Sequence, residues 1–240
     1  MARLVFIHGA GEDHRVWDRQ VGAFSSRHRV LTVDLPGRGV RSADPPLTSH
    51  EENAKDVLRQ MDAVGMPEAV LIGHSMGGAV ALTAALNHPN RVTGLVLVVT
   101  GARLKMNPEF LERARCRAED PTAPKEPPVP LERTVAASVS RETLEWLRER
   151  AMTAPPHTIY ADFQANNGFD VMERLGAISL PTLVVGADED RMAPPKFSEF
   201  MAERIPGARL VMLSPSGHYP QVEQEAPFNQ ALADFLGTLA

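Results

Sequence analysis

VLIGHSMGGAV, residues 70–80, places a serine between glycines where an apolar, β-branched run gives way to small residues. Residues 70–72 read as a strand and residues 78–86 as a helix of small side chains. The join, Gly73-His74-Ser75-Met76-Gly77, has the form G-x-S-x-G. Between a strand and a helix this pattern makes a nucleophile elbow. The serine occupies a strained turn, and the glycines stand where a Cβ would collide with the neighbouring strand and helix. Such a turn lifts the hydroxyl into the crevice at the carboxyl end of a sheet. The competing reading, a glycine-rich turn with an incidental serine, has to be weighed against what the rest of the chain supplies.

Working outward, short apolar runs at residues 4–7, 30–33, 70–72, 95–99, 183–185 and 210–213 alternate with helical patterns. That alternation predicts an α/β fold, a mostly parallel sheet with helices on both faces. One helix is well marked: Ser49 and Glu52 form a capping box, Ala54, Val57, Leu58, Met61 and Val64 make one apolar stripe, and Gly65 and Pro67 end it. Helical spacing returns in Phe228, Ala231, Leu232, Phe235, Leu236 and Leu239. The strand rhythm stops between residues 103 and 179. Helical patterns at 108–118 and 131–151 there flank PTAPKEPPVP (121–130), whose prolines favour an extended linker. Met152, Ile159, Tyr160, Phe163 and Phe169 follow and need cover. The expected organisation is a core made of residues 1–102 and 180–240 with a helical cap at 103–179.

A serine hydroxyl is a poor nucleophile at neutral pH and needs a base, itself oriented by an acid. Both are found downstream of Ser75. The stretch ADEDRMAP puts Asp188 and Asp190 just past a strand, and Gly217-His218 follows the next one. Of eight histidines, only His88, His157 and His218 come after the elbow. His88 ends a helix beside Pro89, and His157 falls in the cap, where it lines the pocket or faces water. An oxyanion hole needs backbone N–H groups aimed where negative charge develops. Met76 would supply one and Ala10, in IHGAGEDHRVW, the other. Gly9 and Gly11 let that loop approach closely, although a plain glycine turn would also explain them. Gly9, Gly11, His74, Phe163 and Tyr219 are the candidates for substrate contact, with residues 154–167 supplying much of the pocket.

Composition narrows the alternatives. The chain has 240 residues, 43% hydrophobic and 23% charged, with a formal net charge of -5, so it can bury a core and has no general attraction for nucleic acid or anionic lipid. Arg113, Arg115 and Arg117 are interleaved with Glu112, Glu119 and Asp120, the pattern of a solvated helix face. A lone cysteine, Cys116, rules out an internal disulfide and fits the cytoplasm. The longest apolar run, residues 95–99, is far too short for a membrane span. Neither paired Cys/His spacing nor H-E-x-x-H suggests a metal, and PGRGVRS lacks the P-loop lysine, so no metal and no cofactor is expected.

HGAG, DLPGRGVRS, GHSMGG, PTLVVGADEDRMAP and SGHYPQVEQ together resemble the α/β-hydrolase family, in order and approximate spacing, over essentially the whole chain. Within it the chain is similar to small, capped carboxylesterase-like and enol-lactonase-like serine hydrolases. That resemblance implies a Ser75, Asp190, His218 triad, oxyanion donors at Ala10 and Met76, and a small, fairly apolar ester or lactone as substrate. Carbon–carbon or other acyl hydrolysis, or a small-molecule receptor on the same fold, remain open. The run at residues 4–7 is expected to be the first strand, without the leading β-hairpin usual in the family, and Tyr219 stands where lyases of the family carry a lysine. The acid loop is one residue longer than in many relatives, so counting from Gly186 favours Asp188, whereas counting back from Pro194 favours Asp190. The proline anchors the far side of the loop, and Asp190 is preferred on that ground.

Overall fold

The computed structural model describes residues 1–120, 122 and 129–239. Most of the proline-rich stretch 121–130 therefore lies outside the described residues. Six strands, β1 (Arg3–Ile7), β2 (Arg29–Val33), β3 (Ala69–His74), β4 (Val92–Val98), β5 (Thr182–Ala187) and β6 (Arg209–Leu213), form one sheet in the order β2-β1-β3-β4-β5-β6. Every neighbouring pair runs parallel. All six runs expected as strands are strands: the central β1, β3, β4 and β5 are buried almost throughout, as suits a parallel sheet covered by helices, and the edge strands β2 and β6 are partly exposed.

Side chains alternate across the pleat and divide the core in two. On one face Val5, Ile7, Leu71, Leu95, Leu97 and Val184 pack against α2 (His50–Ala63), α3 (Met76–Asn87) and α7 (Pro195–Arg204). On the other, Leu4, Phe6, Val70, Ile72, Val96 and Val185 meet Trp17, α1 (Asp18–Phe24) and α8 (Glu225–Gly237). Ser49 caps α2 as expected, accepting the Glu52 N–H. The stripe of that helix is buried except Val64, which caps its C-terminus and is exposed.

Between β4 and β5 the described residues contain no strand, only helices: α4 (Pro108–Glu119), α5 (Arg141–Arg148) and α6 (Pro156–Asn167). A single helix over 131–151 is not what forms. A short 3-10 turn, Leu131–Arg133, precedes an irregular stretch, and α5 starts only where Ser140 accepts the Thr143 N–H. Phe163 and Ile159 of α6 pack on Ala114 of α4 and on Ala154, a small cluster belonging to the insertion itself.

The strand order fixes the site. The chain leaves β1 toward β2 on one side and leaves β3 toward β4 on the other, so the loops after β1 and β3 part and open a crevice between adjacent strand ends. Residues 8–12 and Ser75 border that crevice. Among the described residues no helix is long and apolar enough to cross a membrane.

Candidate active site

Ser75 sits at the tip of β3 with φ 50 and ψ -117, a backbone conformation that side-chain-bearing residues rarely adopt. The glycines around it permit the turn. A Cβ on Gly73 would run into the backbone of Gly77, and one on Gly77 into the carbonyls of Ile7 and His8 on the neighbouring strand.

Ser75 Oγ lies 3.0 Å from His218 Nε2, and His218 Nδ1 lies 2.8 Å from Asp190 Oδ2. The other oxygen of Asp190 accepts the N–H groups of Met192 at 2.7 Å and Ala193 at 3.1 Å, which fixes the carboxylate on its turn. Burial alone would make the His218 imidazolium easier to deprotonate; the Asp190 carboxylate outweighs this and raises the pKa above its ordinary value. Asp188 points elsewhere. It is exposed and accepts Ser214 Oγ at 2.7 Å and the Ser216 N–H at 3.0 Å, tying the loops after β5 and β6 together.

Ala10 lines the same cavity as Ser75, and Met76 follows Ser75 in the chain. Met76 is the first residue of α3, so its N–H has no intrahelical partner, and neither this amide nor that of Ala10 meets an acceptor among the described residues. Ser75, His218 and Ala10 open on a cavity of about 340 Å³, near the lower end of ligand-pocket sizes. Its walls are mainly apolar, with Met106, Met152, Phe163, Phe197 and Tyr219 among them, and Asn166 and Lys105 add polarity.

Three residues expected at the substrate do not line this cavity. His74 is fully buried and faces away from it, with Nδ1 3.0 Å from Glu12 Oε2 and Nε2 2.7 Å from the carbonyl of His218. Gly9 and Gly11 are spacers, and of residues 9–11 only Ala10 lines the cavity. His157 is exposed, and His88 closes α3.

Three carboxylates went unread in the sequence. Glu223 raises its own pKa by burial, partly opposed by the amides it accepts: Ala136 at 2.7 Å, Gly217 at 3.0 Å and Tyr219 at 2.9 Å. Two of these amides flank His218, and the His218 N–H itself donates to the Thr134 carbonyl at 2.6 Å. Glu12 is buried against His74; burial would raise its pKa, but the charge and hydrogen bond of His74 bring it below the ordinary value. Asp162 pairs with Arg38 at 2.7 Å inside the protein, and its pKa is raised because burial exceeds what Arg38 and the Gly11 amide return. The spacing of Glu223 five residues after His218 was the one readable hint.

Asp13, His14 and Asp34 bring ligand atoms within 4.8 Å of one another. Their oxygens are already engaged, Asp13 by Arg15 and Asp34 by the His14 ring and the amides of His14 and Val40. The cluster reads as a set of salt bridges that fasten the loops after β1 and β2.

Residues 4–231 match the model described as Alpha/beta hydrolase family. A curated relative from Variovorax paradoxus named "Putative carbamate hydrolase RutD" is 30% identical over 251 residues, covering 99% of this chain and 92% of the relative. The chain is also similar to a thermophilic esterase from Thermogutta terrifontis (TM-score 0.89, 29% identity, 100% of this chain and 90% of the other). It resembles the enol-lactonase from Burkholderia xenovorans LB400 as well (TM-score 0.85, 26% identity, 98% and 91%). With this fold, this strand order and a family match spanning nearly its full length, the chain belongs to the alpha/beta hydrolase family.

Proposed function

We propose that the protein is a serine hydrolase that cleaves a small, fairly apolar carboxylic ester or lactone through an acyl-enzyme. The observation that carries this reading is the unbroken hydrogen-bond line from Ser75 Oγ through His218 to Asp190, opening on a mainly apolar cavity that Ala10 also lines. In this mechanism Ser75 Oγ attacks the acyl carbon while His218 Nε2 takes its proton. The carbonyl electron pair moves onto oxygen, where the N–H groups of Ala10 and Met76 stabilise it. Collapse expels the alcohol, which receives the proton from His218. A water then adds to the acyl-enzyme with His218 again as base, releasing the acid and restoring Ser75. Asp190 holds the ring so that Nε2 faces the hydroxyl and steadies the transient imidazolium. The apolar walls favour an acyl group without charge near the reacting carbon.

The same steps would cleave a carbamate, the substrate class in the printed name of the curated relatives, and a carbamate therefore belongs in the test. A fluorophosphonate should label wild type stoichiometrically and leave Ser75→Ala unlabelled. With p-nitrophenyl esters of increasing acyl length, lactones and a carbamate as substrates, short-chain esters or lactones should give the highest kcat/KM. A wild-type protein that binds these ligands but is neither labelled nor active would sink the reading in favour of a receptor.

A further inference from the structure

Three consecutive amides, of residues 9, 10 and 11, run along the edge of the crevice. The outer two are taken. The Gly9 N–H donates to Glu12 Oε2 at 2.7 Å, and the Gly11 N–H donates to Asp162 Oδ2 at 2.8 Å. The middle one, of Ala10, meets no acceptor among the described residues and borders the cavity. We propose that Glu12 and Asp162 are positioning residues that fix the Ala10 amide as an oxyanion donor, and that through Asp162 the helical insertion is a working part of the site. This role rests on the serine-hydrolase reading above.

Physical chemistry favours the assignment. A loop with two glycines has little conformational preference of its own, and Gly11 sits at φ +71. An oxyanion donor is useful only if it is held in place before charge develops. Hydrogen bonds to carboxylates are roughly twice as strong as neutral ones, so gripping the two flanking amides leaves the middle peptide little freedom. The insertion holds Gly11 from both ends, since Ala154 N–H also donates to the Gly11 carbonyl at 3.0 Å.

A bare carboxylate beneath an oxyanion would repel it, and here neither is bare. Glu12 is paired with His74, whose Nδ1 lies 3.0 Å from Glu12 Oε2 while its Nε2 lies 2.7 Å from the His218 carbonyl. Asp162 is paired with Arg38, whose side chain has no other hydrogen-bond partner among the described residues. Each carboxylate therefore holds its amide with a nitrogen partner of its own, Glu12 with His74 and Asp162 with Arg38.

A merely structural Asp162 would anchor α6 and nothing more. The two roles are separated by two paired variants, each free of buried charge at this position: Arg38→Met with Asp162→Asn, which keeps an acceptor for the Gly11 amide, and Arg38→Met with Asp162→Leu, which removes it. Each is assayed for kcat and KM with the best ester and for affinity toward a trifluoromethyl ketone. The ketone reads the oxyanion site: Ser75 Oγ adds to its carbonyl carbon, the hydroxyl proton passes to His218, and the carbonyl oxygen becomes the oxyanion.

The leucine pair should lose about 10–100-fold in kcat with KM changed by less than about 3-fold, and ketone affinity should fall in step. The asparagine pair should recover most of that loss. Equal kcat and equal ketone affinity in the two pairs would overturn the role of Asp162. Wild-type protein supplies a second readout that needs no variant to fold. In ¹⁵N spectra the Gly9 and Gly11 amide protons should be shifted downfield, protected from exchange and unmoved by the ketone, while that of Ala10 shifts when the ketone is added. A freely exchanging Gly9 or Gly11 amide, or an Ala10 amide that does not respond to bound ketone, would overturn the proposal and leave the hydrolase reading standing. A wild type that takes neither ketone nor fluorophosphonate would overturn both.

Discussion

Asp190 spends one carboxylate oxygen on His218 and the other on two turn amides, so its orientation is set without help from the substrate. Asp190→Asn should lower kcat by up to about 10⁴, because the amide favours the wrong tautomer of His218. Asp188→Asn breaks only a surface tie and should cost far less. The pH profile carries a second sign. In the proposed mechanism His218 must be neutral at Nε2 to take the serine proton, so kcat/KM should rise with pH through the His218 pKa, which Asp190 holds above the ordinary value. Asp190→Asn should move that acid limb to lower pH. A crippled Asp188 variant beside an active Asp190→Asn would reverse the assignment. The meeting of Ser75 with His218 was legible because a strained turn needs glycines at fixed offsets and a partner for its side chain has to come from the end of a later strand. Glu12 and Asp162 were not. A carboxylate that grips an amide leaves no periodic trace, and Asp162 meets Gly11 across 151 positions of sequence.

The sheet was legible element by element, because its central strands, buried on both faces, must be short and apolar, and its partly exposed edge strands keep the same short, β-branched or leucine-rich runs. The insertion was read less well. Its α6 falls within the segment 154–167 expected at the pocket, but α5 begins ten residues later than the helical pattern from residue 131 implies. Local propensity gives way there to tertiary demands: Thr134 turns its carbonyl to the His218 amide, and Ala136 its amide to Glu223. Phe163 shows how closely the insertion joins packing to recognition. It lines the cavity, yet it is 5% exposed and forms the centre of the cluster with Ala114, Ala154 and Ile159. A truncation to alanine would therefore cost about 3–5 kcal/mol and confuse the two roles. Phe163→Leu conserves more volume and should cost only about 1 kcal/mol. It should also shift the best p-nitrophenyl ester toward a longer acyl chain, by about one or two carbons of added room. An unchanged acyl-length profile with the same loss of stability would make Phe163 a core residue only.

Across the molecule, the loops that build the crevice are fastened to the scaffold by buried groups that must keep a single protonation state. His8, at the end of β1, accepts the Leu35 N–H through Nε2 at 3.2 Å, and its Nδ1 lies 2.8 Å from the Gly9 carbonyl, the arrangement of a neutral ring. Burial, reinforced by Arg38, lowers its pKa to about 4 against the opposing pull of Glu12 and Asp34. His50, at the start of α2, is buried between Asn166 and Phe169; its pKa is also lowered to about 4, by burial, which the Asn166 hydrogen bond only partly offsets. In the unfolded chain both rings titrate near 6.5, so below that pH the unfolded state binds more protons. Stability present above pH 6.5 is therefore lost as pH falls toward 4. For His50 the loss between pH 7 and pH 4 amounts to about 3 kcal/mol. His50→Gln keeps a donor for Asn166 and removes the titration. Urea unfolding at the two pH values should show a loss about 3 kcal/mol smaller in the variant than in wild type, with stability at pH 7 reduced by no more than about 1–2 kcal/mol. The carboxylates whose pKa values lie low in the folded state, Glu12, Asp13 and Asp56, continue the decline at lower pH in both proteins. If wild type and variant lose the same stability between pH 7 and pH 4, His50 is not held neutral by burial, and the acid sensitivity of the fold has to come from His8 and those carboxylates.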